Sequence, residues 1–230
     1  MLTLRWHLLL LFLSDFGRDV IYRKYDAFTT DRAYHRRSSG RLGVGKLVDW
    51  LVQRQALHAG LRQRLQIVVS ELVRAAGVQQ EQGNAPVRIV SGPCGLARDI
   101  TLAAGAIGDS SRVEFWGNDL DFSGEVLSEA KRRTEEAGLE LHTQKQVLLS
   151  PDALSQSFEG RPVHIFNSIG LTSWLDLDEI VSLFETVYRV LVPGGAFVVD
   201  NFHRHAQSKY GDAMEMDTRY HSGRDLERTL

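Results

Sequence analysis

The sequence predicts an α/β fold: a mainly parallel sheet with helices on both faces, behind a helical N-terminal region. Three observations carry that expectation. Short β-rich runs alternate with helical patterns after residue 86, the signature of successive βαβ units. A glycine-containing turn follows the first of those runs directly, and the residues ahead of it space their apolar side chains as helices do. The 230 residues, 43% of them hydrophobic and 24% charged, suffice for one such domain with an extension and lie far from the disordered and membrane classes.

Taken in order, the opening run Trp6 to Leu13 (WHLLLLFL) falls well short of the roughly 20 apolar residues a membrane-spanning helix needs. No small-residue cleavage site follows in Ser14 to Asp19, so a packed N-terminal helix is expected in place of a signal peptide or membrane span. Leu47, Val48 and Leu51, then Leu61, Leu65, Val68, Val69, Leu72 and Val73, recur at helical spacing between Leu47 and Ala76, which predicts two helices broken near Gly60. The polar stretch Gln79 to Asn84 reads as a linker. The chain is thereby divided into a helical cap region (1–78), a linker (79–86) and an α/β domain (87–230). Strands are expected over Val87–Val90, Val113–Trp116, Leu139–Thr143, Val163–Phe166 and Ala196–Asp200. Helices are expected over Leu96–Ala104, Ser123–Ala137 with Ser123 as N-cap, and Leu177–Leu191. Arg224 to Leu230 starts an amphipathic helix that stops after about two turns, so the C-terminal strands are expected to be cut short.

A net charge of −2 supplies no global field to hold phosphates, and nucleic acid is not an expected partner. The single cysteine, Cys94, can form neither an internal disulfide nor a cysteine-based zinc cluster, which fits a reducing cytoplasm.

The first chemistry-bearing segment is Ser91-Gly92-Pro93-Cys94-Gly95, placed between the first strand and its following helix. Glycine lets backbone approach a ligand without a Cβ in the way, and a helix start presents free N–H groups. The second is Gly117-Asn118-Asp119-Leu120-Asp121 at the end of the second strand, about 25 residues on, where an acid can accept both hydroxyls of a ribose. Asp119 is the first choice, with Leu120 and Asp121 beside it. These two segments suit nicotinamide and S-adenosylmethionine cofactors alike. The third is the helix ending Leu191-Val192-Pro193-Gly194-Gly195, which returns at once into an apolar strand and then Asn201-Phe202. Proline stops the helix and the glycines allow the positive φ needed to swing into the sheet.

From Val87 to Phe202, about half the chain, this ordered set resembles the class I S-adenosylmethionine-dependent methyltransferases. The resemblance implies a Rossmann-like sheet, S-adenosylmethionine as cofactor and in-line methyl transfer to a small-molecule acceptor. The chain departs from the family pattern before Gly92, where an acid is common and none stands here. Ser91 or a carbonyl could substitute, with Asp99 on the next helix a less favoured stand-in. Tyr22-Arg23-Lys24-Tyr25, Thr30-Asp31, Ser39 to Gly43 and Asp49, with Asn201-Phe202-His203, Met216-Asp217 and Tyr220, further resemble bacterial enzymes related to those making 3-hydroxy fatty acid methyl esters. That resemblance implies a fatty carboxylate or hydroxyl as acceptor.

Asn167 and Ser168 end the fourth strand and are expected on the cofactor side. His203 and His205 follow the fifth strand, at the edge where open parallel sheets bind ligands, and either could act as a base. Tyr34, Arg41, Asn201 and Trp174, the last together with Leu171, are the candidates for the acceptor side. No residue set has zinc-ligand spacing. Gly40 to Lys46 matches the first seven positions of a phosphate loop, but Leu47 stands where Ser or Thr must ligate Mg²⁺, and Arg32 to Ser39 is too polar for the strand that should precede it. It reads as a glycine-rich turn beside the acceptor. An NAD(P)-dependent oxidoreductase, or a methyltransferase fold that only binds, are the competing functions; a homodimer stays open.

Overall fold

The computed structural model describes residues 12–23, 25–36, 38, 43–120, 123–145, 148–204, 208, 212 and 217–227. The chain falls into two compact units, residues 1–66 with 205–218 and residues 67–204 with 219–230. Among the described residues no helix is long and apolar enough to cross a membrane.

The first unit contains α1 (Asp15–Arg23), α2 (Ala27–His35) and α3 (Val44–Gln53), followed by α4 (Ala56–Glu81), which continues into the second unit. Asp26 caps α2 by accepting from the Thr29 N–H at 2.8 Å. The helix break expected near Gly60 falls instead at Arg54–Gln55, where Arg54 N–H bonds Leu51 O at 3.2 Å and Gln55 N–H bonds Val52 O at 3.1 Å. Gly60 sits inside α4, where it costs only about 1 kcal/mol relative to alanine. Residues 79–81, read from sequence as the start of the linker, form the last turn of α4. The Trp6–Leu13 segment lies outside the described residues except for Phe12 and Leu13, which are exposed turn residues ahead of α1. Buried Phe16 and the buried His58 ring pack edge to face. The imidazole contacts Val52 O through Nδ1 at 2.8 Å and the Tyr25 hydroxyl through Nε2 at 2.7 Å. A carbonyl only accepts, so Nδ1 carries the proton and Nε2 accepts from Tyr25.

The second unit is built on a five-stranded parallel sheet in the order β3-β2-β1-β4-β5. Its strands are β1 (Val87–Ser91), β2 (Val113–Asp119), β3 (Leu141–Lys145), β4 (Val163–Ser168) and β5 (Leu191–Val199). The connecting helices are α5 (Arg98–Ala106), α6 (Glu125–Glu136), α7 (Pro151–Ser157) and α8 (Leu177–Val190), with the short α9 (Gly223–Glu227) behind. One face carries Val87, Ile89, Phe115 and Ile165 against Leu72, Ile100, Ala103 and Ala130 of α4, α5 and α6. The other carries Val90 and Phe166 against Leu154, Ile180, Leu183 and Val187 of α7 and α8. Helices thus cover both faces, as parallel sheets require.

All five expected strands are present. The expected N-cap of α6 shifts by one residue to Gly124, although the Ser123 hydroxyl still accepts from Glu125 N–H at 3.1 Å. The expected Pro-Gly-Gly turn between helix and strand is a different feature. Leu191 already pairs with Val163, and pairing resumes at Ala196 opposite Ile165. Residues 192–195 therefore loop out of the ladder opposite His164.

A second departure is Arg88, a buried arginine at the second position of β1. Its guanidinium is matched by Glu114 at 2.6 and 2.8 Å and by Pro162 O at 2.7 Å. A buried charge persists only when partnered in this way.

Candidate functional site

The strand order fixes where ligands can enter. From β1 the chain steps outward through β2 and β3, then returns to the opposite side of β1 for β4 and β5. Loops after β1 and β4 therefore leave the sheet in opposite senses and open a crevice at its carboxyl edge.

The glycine loop at that edge is tied down from both neighbouring strands. Gly92 N–H donates to Asn167 O at 2.8 Å, and Cys94 N–H donates to Asn118 O at 2.9 Å. A Cβ on Gly92 would stand 2.8 Å from the Leu148 side chain, and one on Gly117 would stand 3.0 Å from Cys94 Sγ. Gly92 thus lets the loop pack close to Leu148, and Gly117 leaves room for Cys94. At the end of the loop Gly95, with φ of 48°, donates its N–H to the Asp119 carboxylate at 3.0 Å. Two segments 24 residues apart in sequence meet here, and a carboxylate with about four acceptor positions stands at the mouth of the loop.

Beneath the loop lies a buried cluster. The Ser91 hydroxyl donates to Asp99 Oδ2 at 2.8 Å, and the Asn167 amide donates both to Ser91 Oγ, at 3.2 Å, and to Asp99 Oδ2. Burial pushes the Asp99 carboxyl above the ordinary carboxylate range, against the opposing pull of these donors and of the first backbone N–H groups of α5. Asp99 joins the tips of β1 and β4 to the start of α5, so the side chains of Ser91 and Asn167 turn toward it. From sequence alone Asp99 ranks behind Ser91, and nothing in the spacing brings the three together.

Two buried atoms at the tip of β4, Asn167 Oδ1 and Ser168 Oγ, have no hydrogen-bonding partner among the described residues. A third is Asn201 Oδ1, just past β5, whose amide nitrogen is fixed by donation to His221 O at 2.7 Å. Leaving such atoms unpaired costs about 1–3 kcal/mol each, which a ligand donor can recover. Asp200, from sequence alone only the end of a strand, accepts from Gly170 N–H at 2.6 Å and, through its carbonyl, from the Thr172 hydroxyl at 2.5 Å. It holds the β4 exit loop against β5; an acid at the carboxyl end of a strand was the available signal.

The remaining candidates are dispersed. Leu120 and Trp174 are exposed, Leu171 is half-buried and His203 is exposed. Tyr34 belongs to α2 in the first unit, where its hydroxyl accepts from Arg64 at 2.9 Å. Pro93 lies within the loop itself. Arg41, Asp121 and His205 lie outside the described residues.

No protein-family model and no curated protein matches the sequence. Solved structures do resemble it. A possible exported protein from Bordetella parapertussis superposes with a TM-score of 0.67 at 20% identity, covering 95% of this chain and 68% of that one. The S-adenosylmethionine-dependent methyltransferase SibL gives 0.54 at 14% identity, covering 94% of this chain and 65% of that one. Magnesium protoporphyrin IX methyltransferase from Synechocystis PCC 6803, with S-adenosylhomocysteine bound, gives 0.54 at 11% identity, covering 92% and 86%. This chain spans about two thirds of the length of the first two. With its strand order and glycine loop, it has the Rossmann-like α/β fold of class I S-adenosylmethionine-dependent methyltransferases, with helices ahead of the sheet.

Proposed function

We propose that this protein is an S-adenosylmethionine-dependent methyltransferase acting on a small molecule. The observation that carries the reading is the Asp119 carboxylate at the tip of β2, held at the mouth of the β1 loop by Gly95 N–H. A carboxylate so placed suits the two hydroxyls of a ribose, and the unpartnered Asn167 Oδ1 and Ser168 Oγ at the adjoining tip of β4 offer acceptors to a second polar part of the same ligand. These residues fit the cofactor.

When bound, the sulfonium supplies an already activated methyl group, so the chain has only to align the acceptor and exclude water. Alignment of that kind is worth on the order of 7–11 kcal/mol. Asn201 Oδ1, anchored through His221, would accept from an acceptor hydroxyl or amine. A fatty carboxylate, ionised at neutral pH, needs no base, whereas a hydroxyl acceptor would call on His203 or His205. Asp99, buried and bonded to Ser91 and Asn167, sets the loop through them.

Isothermal titration with S-adenosylhomocysteine and, separately, with NAD tests the reading. Binding of the first and not the second is expected, weakened about tenfold to a hundredfold in Asp119→Ala, the size of one charge-assisted hydrogen bond or two. Binding of NAD alone would contradict it.

A further inference from the structure

We infer that the exposed face of α3 is a docking surface for an anionic lipid bilayer. Helix α3 is amphipathic with its faces reversed. Its buried positions are Gly45, Asp49, Val52 and Gln53, and Asp49 accepts there from the Ser14 hydroxyl and from Phe16 N–H at 3.2 Å. Its opposite side shows Val44, Leu47, Trp50 and Leu51, which are 61%, 55%, 44% and 52% exposed. A surface helix of a soluble domain ordinarily turns its apolar stripe inward and its polar residues out. Here hydrogen-bonding partners draw Asp49 in, and four large apolar side chains face water over about two turns.

The charges beside that stripe choose the occupant. The charged side chains at the exposed positions of α3 and its C-cap are Lys46 and Arg54, both cations, because the helix's one acid is Asp49 on the buried side. The Arg54 guanidinium lies over the Trp50 ring at 4.0 Å. An indole flanked by cations beside leucine and valine is the composition of helices that lie in a membrane interface, with apolar side chains among the acyl chains and cations at anionic headgroups. A second copy of this chain is the poorer occupant. Four half-exposed side chains fall well short of the roughly 800 Å² per partner of a stable interface, and two such faces would bring Lys46 and Arg54 against their own like charges. A single dissolved acyl chain fits no better, since it needs a concave site and a helix face is convex.

Co-sedimentation of the full chain with phosphatidylcholine vesicles, with and without phosphatidylglycerol, tests this. The expected result is pelleting with the anionic vesicles only, reduced about tenfold or more both by Leu47→Glu and by raised salt. Because Leu47 is exposed, the variant should keep the wild-type melting temperature and circular dichroism. Trp50→Phe removes the indole and should reduce pelleting while keeping the stripe apolar. No pelleting, or equal pelleting of wild type and Leu47→Glu, overturns the proposal. A dimer in solution that Leu47→Glu converts to monomer, without vesicle binding, assigns the face to a second copy and overturns it too.

Discussion

His58 shows how one side chain can set a pH limit on the first unit. Its burial beside Phe16, with the nearby Arg62 charge and against the pull of the Val52 carbonyl, lowers its pKa from 6.5 to about 4. The Tyr25 phenol bonded to it is pushed well above the usual range by burial. Since the folded form holds the neutral ring, protonation favours the unfolded chain. Stability is therefore full above pH 6.5, falls as pH drops toward about 4, and is level below that. The loss is about 3 kcal/mol at roughly 1.4 kcal/mol per pH unit. His58→Gln, which cannot titrate, should flatten that decline in urea denaturation between pH 7 and 4; an unchanged slope would show another group responsible. At the same scale the site was half legible. The meeting of the Gly95 and Asp119 segments follows from spacing along a βα unit. The Ser91–Asp99–Asn167 cluster does not, because it depends on the return of β4 beside β1 and joins residues up to 76 apart.

Among the elements, β5 makes the clearest departure from what periodicity implies. Pro193-Gly194-Gly195 looks like a turn joining α8 to a strand because proline and glycine end helices. The sheet instead begins at Leu191, and the intervening residues loop out. Gly195 is the tightest point: a Cβ there would stand 2.9 Å from Val192 O and 3.0 Å from His164 O, both backbone atoms that cannot easily yield. Gly195→Ala should cost about 1–3 kcal/mol by overpacking. Gly105→Ala in α5, where a Cβ would meet nothing within 4 Å, should be neutral or stabilising by up to about 1 kcal/mol. Equal denaturation midpoints for the two would contradict this account of the bulge. The central strands were legible because both sheet faces are covered, which leaves continuous apolar runs such as Val163–Phe166. The break before α4 was not, since nothing in Arg54-Gln55 breaks a helix by itself and Gly60 was the stronger local signal.

At the scale of the whole molecule, the parallel order β3-β2-β1-β4-β5 concentrates at one sheet edge what the sequence scatters from Ser91 to Asn201. Alternation of strands and helices made that architecture legible, since right-handed crossovers admit few arrangements. What the edge binds was less so, because acceptor-side residues sit in loops whose shape follows from packing and not from local pattern. The most direct measurement is a crystal structure after soaking in S-adenosylhomocysteine. Nucleoside density is expected at the β1 and β2 tips, with both ribose hydroxyls on the Asp119 carboxylate. A ligand bound elsewhere, or a crevice that stays empty at saturating concentration, would contradict it.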